Sequence, residues 1–235
     1  MIVDNMIPNK VLVLVSGGLD STVLLARAVK SFGPDKVVAL NIYYGQRHAR
    51  EIEFAKFQTD KYGVPLLSAD LSEVFKYNTS CPLLANSENE IPTQSYAEQL
   101  EEIGGSGTVK TYIPFRNGLF LSYAASVAIQ VGASEIYYGA HADDAAGRAY
   151  PDCTPDFIWA MRGSIEKGSG DTVTLKAPFY NLIKSQIVKM GLDLEVDFSH
   201  TWSCYNGREL PCGVCGTCID RVAAFEANDL TDPLI

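Results

Sequence analysis

The sequence predicts an α/β fold with a doubly wound parallel sheet, and three observations carry that reading. Residues 11–15, VLVLV, form a short, largely β-branched apolar run of the kind that makes a strand buried on both faces. The run stops at Ser16 and passes through the small turn Ser16-Gly17-Gly18-Leu19-Asp20 into Ser21 and a helical pattern over residues 22–30, apolar at Val23, Leu24, Ala26 and Ala28. Strand-length apolar runs then alternate with helical patterns down the chain. Such βαβ alternation builds a sheet whose ligands sit at the carboxyl ends of the strands.

The turn after the first strand carries the chemistry. Two adjacent glycines let backbone N–H groups approach a ligand where a side chain would clash, and the following helix directs its unpaired amides and partial positive charge at the same spot. That is an anion site suited to phosphates. It has neither the GxxxxGK of a Walker loop nor the GxGxxG of a dinucleotide turn. A tight strand-to-helix turn capped by Asp20 or Ser21 is the plainer alternative.

The remaining elements follow in order. Residues 36–44, KVVALNIYY, predict a second strand; residues 49–62 a helix, apolar at Ile52, Phe54, Ala55 and Phe57; residues 65–69 a third strand. Tyr44-Gly-Gln-Arg-His48 lies at a strand end, which puts Gln46, Arg47 or His48 near a nucleotide or substrate, or else makes a polar turn. From residue 74 to 110 the periodicity fails, with Pro82, Pro92 and the glycines of residues 104–107, so a solvated loop with short helices is expected, or a mobile excursion over the site. Cys81, within it, reads as structural or incidental. Order returns at TYIPFRN, residues 111–117, ahead of a helix over 118–131 that is apolar and small on nearly every side and is expected to be buried. Arg116 and Asn117 at its entrance would be costly to bury without a partner. Arg116 offers a planar fork for carboxylate or phosphate, the alternative being a structural salt bridge.

Residues 135–140 predict the fourth strand, which runs into a polar loop containing Asp143, Asp144 and Asp152. These carboxylates can read amino groups of a purine-like ring, hold a magnesium ion through water, or cap helices. A helix over 155–167, a fifth strand over 172–177 and a helix over 181–190, starting near Lys184, complete the α/β pattern. Lys184 can meet a phosphate or remain solvated.

A chain of 235 residues is long enough for a sizeable core, and one domain over 1–235 is the simplest division. With 19 basic against 28 acidic residues the net charge is −9, which argues against a broad nucleic-acid surface. No signal-like start or bilayer-length apolar run is read, so a cytoplasmic protein without a membrane partner is expected. Of six cysteines, Cys204, Cys212, Cys215 and Cys218 crowd together with seven, two and two residues between them. Four thiolates converging from tight turns suit a closed tetrahedral zinc site, a module over residues 200–220 whose metal is structural; an iron–sulfur cluster or a redox pair is the rival.

SGGLDS at residues 16–21 resembles the pyrophosphate loop of the ATP pyrophosphatase superfamily. The combination of SGGLDSTVLL (16–25), YGQRHAREIE (44–53), PFRN (114–117), YPDC (150–153) and the SCYNG…CGVCGTC module resembles, more narrowly, the 7-cyano-7-deazaguanine synthase family. The resemblance implies an adenine nucleotide alpha hydrolase-like fold and a ligase that uses ATP and Mg2+ to adenylate 7-carboxy-7-deazaguanine. Ammonia then gives the amide, which is dehydrated to the nitrile. It also implies Zn2+ on the four cysteines, a homodimer, and small-molecule partners rather than stable nucleic acid. Carried onto this chain, ATP falls to Val15, Ser16, Gly17, Gly18, Leu19, Asp20, Ser21, Thr22, Val23, Leu24 and Leu25. Catalysis falls to Asp20, Ser21, Arg116 and Lys184, and substrate binding to Gln46, Arg116, Asn117, Asp143 and Asp152. The chain departs from the family pattern at Phe115 and Gly118, where a small and a larger residue are usual, and around residues 143–149. The same acyl-adenylate passed to another amine, a tRNA thiolase, which the net charge disfavours, and a nucleotide sensor without turnover are the alternatives.

Overall fold

The computed structural model describes residues 10–235; the first nine residues of the expected 1–235 domain lie outside that description. The elements in chain order are β1 (Lys10–Leu14), α1 (Leu19–Phe32), β2 (Val37–Tyr43), α2 (Glu51–Tyr62), β3 (Leu66–Asp70), α3 (Ser72–Phe75), α4 (Tyr96–Glu102) and α5 (Arg116–Val131). They continue with β4 (Ala133–Tyr137), α6 (Ala142–Ala145), α7 (Pro155–Gly168), β5 (Thr174–Lys176), α8 (Lys184–Asp193) and α9 (Gly216–Glu226). The five strands form one parallel sheet in the order β3-β2-β1-β4-β5. Strand order reverses between β1 and β4, so their carboxyl ends flank the crevice where such sheets take ligands.

Burial on both faces explains the continuous apolar strands. β2 is buried at six of its seven positions, because α1, α8 and α9 cover one face and α5 and α7 the other. On the first side Val13 and Ala39 pack with Val23, Leu24, Ile187, Val188 and Phe225. On the second, Leu12, Leu40 and Ile136 pack with Leu121, Ala124, Ala128, Ile158 and Ile165. The five predicted strands are all present, with small shifts at their ends. Among the described residues no helix is long and apolar enough to cross a membrane.

Three differences from the sequence reading have physical reasons. First, α1 begins at Leu19 rather than residue 22, so Asp20 and Ser21 sit in the first helical turn, aimed back at the loop. Second, α5 is buried along one stripe (Asn117, Gly118, Leu121, Ala124, Ala128) while Ser122, Ser126 and Ile129 are exposed. Its small residues follow from close packing on the sheet and not from burial all round. Third, α9 was not predicted: it starts inside the cysteine module, with Cys215 at its N-cap and Cys218 in its first turn.

α9 is anchored through Arg221, which is 1% exposed. Its Nε and Nη2 donate to Asp232 Oδ2 and Oδ1 at 2.7 and 2.9 Å, and Nη1 donates to Thr201 Oγ1 at 2.7 Å. This pair ties the C-terminal tail and the Thr201 segment to one helix. Breaking a buried pair from one side leaves an uncompensated charge, at a cost of about 3–5 kcal/mol. Asp232→Ala therefore lowers the stability read by urea denaturation by about that amount; a loss under about 1 kcal/mol would contradict the anchoring role.

Candidate active site

The loop between β1 and α1 is fixed by close backbone packing. Gly17 has φ of +100°, and a Cβ there would lie 2.0 Å from the Glu51 carbonyl oxygen and 2.7 Å from the Ala55 nitrogen, so only glycine fits against the first turn of α2. Asn41, the one polar residue in buried β2, donates through Nδ2 to the carbonyls of Val15 and Ser16 at 2.8 and 3.3 Å. The N–H of Trp202 donates to the Gly17 carbonyl at 2.9 Å. Ser21 Oγ accepts from the N–H groups of Ser16 and Gly17 at 3.2 and 3.3 Å, and the N–H of Gly18 donates to Ser16 Oγ at 3.1 Å. Three consecutive amides thus turn toward hydroxyl oxygens, the geometry of an anion-binding nest.

Beside the loop opens a cavity of about 260 Å³. Its charged wall comes from three elements, α1, α8 and α6 with its N-cap. Asp20 Oδ2 lies 3.5 Å from Lys184 Nζ, at the start of α8, and 3.7 Å from His141 Nε2; Asp144 Oδ2 is 3.4 Å from the same nitrogen. Burial alone would raise the Asp20 carboxyl, but Lys184 and His141 hold it below the usual carboxylate range. Burial likewise opposes the Lys184 charge, and the surrounding carboxylates of Asp20, Asp144, Asp220 and Asp143 override it and raise its affinity for the proton. Lys184 is therefore a fixed, charged donor at the mouth of the nest.

The opposite wall is aromatic. Tyr44, Phe120, Tyr138, Trp202 and Tyr205 line it, with Arg116 and Asn117 at its base. The Arg116 guanidinium lies 5.2 Å from the Tyr44 ring centroid and 5.8 Å from that of Phe120. Its Nε and Nη2 both donate to Asn117 Oδ1 at 3.2 Å. Among the described residues no carboxylate lies within ion-pair distance of it, although the Asp152 charge acts on it from farther away. Deeper in, Glu51 Oε1 accepts from Gln46 Nε2 at 3.2 Å and lies 3.6 Å from His48 Nε2. Burial pushes the Glu51 carboxyl up to about 8, and burial together with the Arg116 charge pushes His48 down to about 3. Both are neutral at pH 7, so the contact is a polar pairing of neutral groups.

The expected residues separate into groups. Val15, Ser16, Gly18, Leu19, Asp20, Ser21, Arg116, Asn117 and Lys184 line the cavity together. Thr22, Val23, Leu24 and Leu25 are buried in α1, where they pack the loop's support against the core. Gln46 and Asp152 stand one layer back: Gln46 accepts from the Tyr44 N–H at 2.8 Å, and Asp152 Oδ2 accepts from the Asn117 N–H at 2.9 Å. Asp143 faces a neighbouring cavity and accepts the Lys184 N–H at 2.7 Å. His141, Glu51, Trp202 and Tyr205 were not singled out from the sequence. The position of His141 directly after β4 was the available signal. Phe115 and Gly118 are explained as a pair: Phe115 takes φ of 58°, and a Cβ on Gly118 would lie 2.5 Å from its ring.

The four cysteine sulfurs all lie within 4.8 Å of one another. A tetrahedron of Zn–S bonds of about 2.3 Å separates its sulfurs by roughly 3.8 Å, so the cluster fits a four-thiolate metal site. Backbone N–H groups of Asn206 and Cys212 donate to Cys204 Sγ at 3.4 and 3.3 Å, and that of Cys215 to Cys212 Sγ at 3.3 Å, as expected where sulfur carries charge. The cluster adjoins the cavity: Trp202 Nε1 donates to the Cys204 carbonyl at 2.9 Å, and the same residue's N–H holds Gly17.

Comparison with known proteins bears on this arrangement. The chain is 38% identical over 226 residues to 7-cyano-7-deazaguanine synthase 1 of Colwellia psychrerythraea, covering 96% of this chain and 97% of that protein. It is 40% identical over 227 residues to the 7-cyano-7-deazaguanine synthase of Marinobacter nauticus, covering 96% of each, and 37% identical to that of Archaeoglobus fulgidus over 96% and 90%. A solved glutamine-dependent NAD+ synthetase from Acinetobacter baumannii, in complex with ADP, aligns at a TM-score of 0.47 with 16% identity over 87% of this chain and 32% of that one. The profile described as Queuosine biosynthesis protein QueC matches residues 10–229, and the chain belongs to that family.

Proposed function

We propose that the protein converts 7-carboxy-7-deazaguanine and ammonia to 7-cyano-7-deazaguanine at the expense of ATP, through an adenylated carboxylate and then an adenylated amide. The observation that carries this reading is the meeting, in one cavity at the β1/β4 crevice, of an anion nest, a charged lysine and an arginine without a direct ion pair, set among aromatic walls, in a chain of this family.

A carboxylate is a poor electrophile because its oxygen cannot leave as oxide. Attack of that oxygen on the α-phosphorus of ATP releases pyrophosphate and makes AMP the leaving group. Ammonia then displaces AMP to give the amide. Repeating the activation on the amide oxygen, with loss of AMP and the nitrogen's protons, gives the nitrile, so one adenylation site serves both steps. The amides of Ser16, Gly17 and Gly18, the start of α1 and Ser21 bind the departing phosphates. Asp20 keeps Lys184 charged and placed against the developing negative charge, and Arg116 takes the substrate's carboxylate with Asn117. Gln46 and Asp152 act from behind, on Glu51 and Asn117; Asp143 holds the start of α8. Mg2+, with Asp20 and Asp144 as the cavity carboxylates that would hold it, would supply charge neutralisation to the phosphates. Zn2+ on Cys204, Cys212, Cys215 and Cys218 supplies order to the segment that carries Trp202. The protein acts as a homodimer in the cytoplasm, on small molecules and without a nucleic-acid partner.

Three outcomes are expected. Asp20→Ala lowers AMP release dependent on 7-carboxy-7-deazaguanine by about 10²–10³-fold, measured well below the melting transition; a rate near that of the parent removes the Asp20–Lys184 pair from catalysis. Cys215→Ser lowers zinc content measured by atomic emission and the melting temperature together, and an unaltered stoichiometry would refute the four-thiolate site. Glu51, raised to about 8 in the folded chain from about 4.3 when unfolded, favours the native state most at low pH, and that advantage disappears as pH rises through this window. The melting temperature of the parent therefore falls relative to Glu51→Gln between about pH 4.3 and pH 8; a parent that gains on the variant over that range contradicts the buried neutral carboxyl.

A further inference from the structure

A second cavity, of about 350 Å³, lies between α4, α8 and α9. Three residues, Tyr96, His141 and Lys184, line both this cavity and the first, so the two share a wall. The outer part is walled by small apolar groups, among them Ala97, Ala223, Ala224 and Ala227, of which Ala97, Ala223 and Ala227 are exposed and form its mouth. The inner end is polar: Asp143 and Asp220 face it, and Asp20 and Asp144 lie beyond His141, 3.7 and 3.4 Å from its Nε2. Four carboxylates thus surround a single side-chain cation, Lys184. The His141 ring, 2% exposed, stands between the cavities with its Nδ1 unpartnered among the described residues and 3.8 Å from Asp143 Oδ2. A buried imidazole nitrogen without a partner is costly unless a ligand satisfies it.

We propose that this second cavity is the entry and holding site for ammonium, given the ammonia-consuming reaction proposed above. The carboxylates attract a small cation through an opening lined by alanine. Ammonium donates to Asp143 and Asp220 and to His141 Nδ1, which takes one of its protons and leaves neutral ammonia. The lone pair of that ammonia attacks the acyl carbon of the adenylate in the first cavity, the bond from that carbon to the AMP oxygen breaks, and AMP departs with the electron pair. The proton lost from the new C–N adduct passes to solvent. A separate route for the nucleophile leaves the adenylate face closed to bulk water, whose attack would return the carboxylate.

The test fills the mouth without touching either the nest or His141. Ala223→Phe and Ala227→Trp, on the exposed side of α9, and Asp220→Asn, which removes one charge, are assayed for nitrile formation against ammonium concentration and for isotope exchange between pyrophosphate and ATP with 7-carboxy-7-deazaguanine in the absence of ammonium. The expected result is a KM for ammonium raised about 10-fold or more by either filling variant, with the exchange rate unchanged in both, and raised several-fold by Asp220→Asn. An ammonium KM equal to that of the parent in the filled variants, with exchange intact, overturns the entry route alone. Absence of exchange in the parent chain overturns the adenylation reading on which it rests.

Discussion

The clamp on the Gly17 peptide is the constraint on which the rest depends. Its α-carbon lies so close to the Glu51 carbonyl that no side chain fits, and its own carbonyl is held by the Trp202 N–H. One contact comes from α2 and the other from the segment beside the cysteines, so a single loop records the packing of two distant parts of the chain. Fixing these carbonyls leaves the amides of residues 16 to 18 turned toward the Ser16 and Ser21 hydroxyls, beside the cavity. The anion nest is thus a product of tertiary packing as much as of the glycine pair.

The charged wall follows a related logic. Asp20 and Lys184 meet because α1 and α8 lie side by side on one face of the sheet, and each lowers the cost of burying the other. Arg116 is different: aromatic rings, the Tyr44 hydroxyl and an amide oxygen touch it, and its nearest carboxylate charge, Asp152, acts without an ion-pair contact. Both cations line the one cavity, which suits a reaction whose negative charge builds on phosphoryl oxygens and then on an acyl oxygen. Trp202 and Tyr205 pack against the thiol cluster and also line the cavity, so the order of the cysteine segment reaches the cavity wall.

Much of this was legible in the sequence. The strand runs, the glycine turn and the four-cysteine spacing depend on local pattern, and all appear where that pattern puts them. What local pattern could not supply was which polar groups face the cavity and which stand behind it. Gln46 and Asp152, expected at the substrate, also hold Glu51 and the Asn117 N–H, partners that local pattern could not name. Glu51 reads as an ordinary first-turn acid of a helix, and only the fold shows it buried and neutral. α9 was missed because its first turn is made of cysteine, glycine and threonine, residues that suggest a metal loop more than a helix start. His141 had one visible signal, its place after β4, and that gains weight only once β1 and β4 are known to be neighbours.

The most direct measurement is mass spectrometry of the base and nucleotide products after the protein is incubated with 7-carboxy-7-deazaguanine, ATP, magnesium and an ammonium salt. The account predicts the 7-cyano base together with AMP and pyrophosphate. AMP formed with the carboxylate consumed but no amide or nitrile would assign the activated acyl group to another amine, and absence of any nucleotide cleavage would contradict the account at its centre.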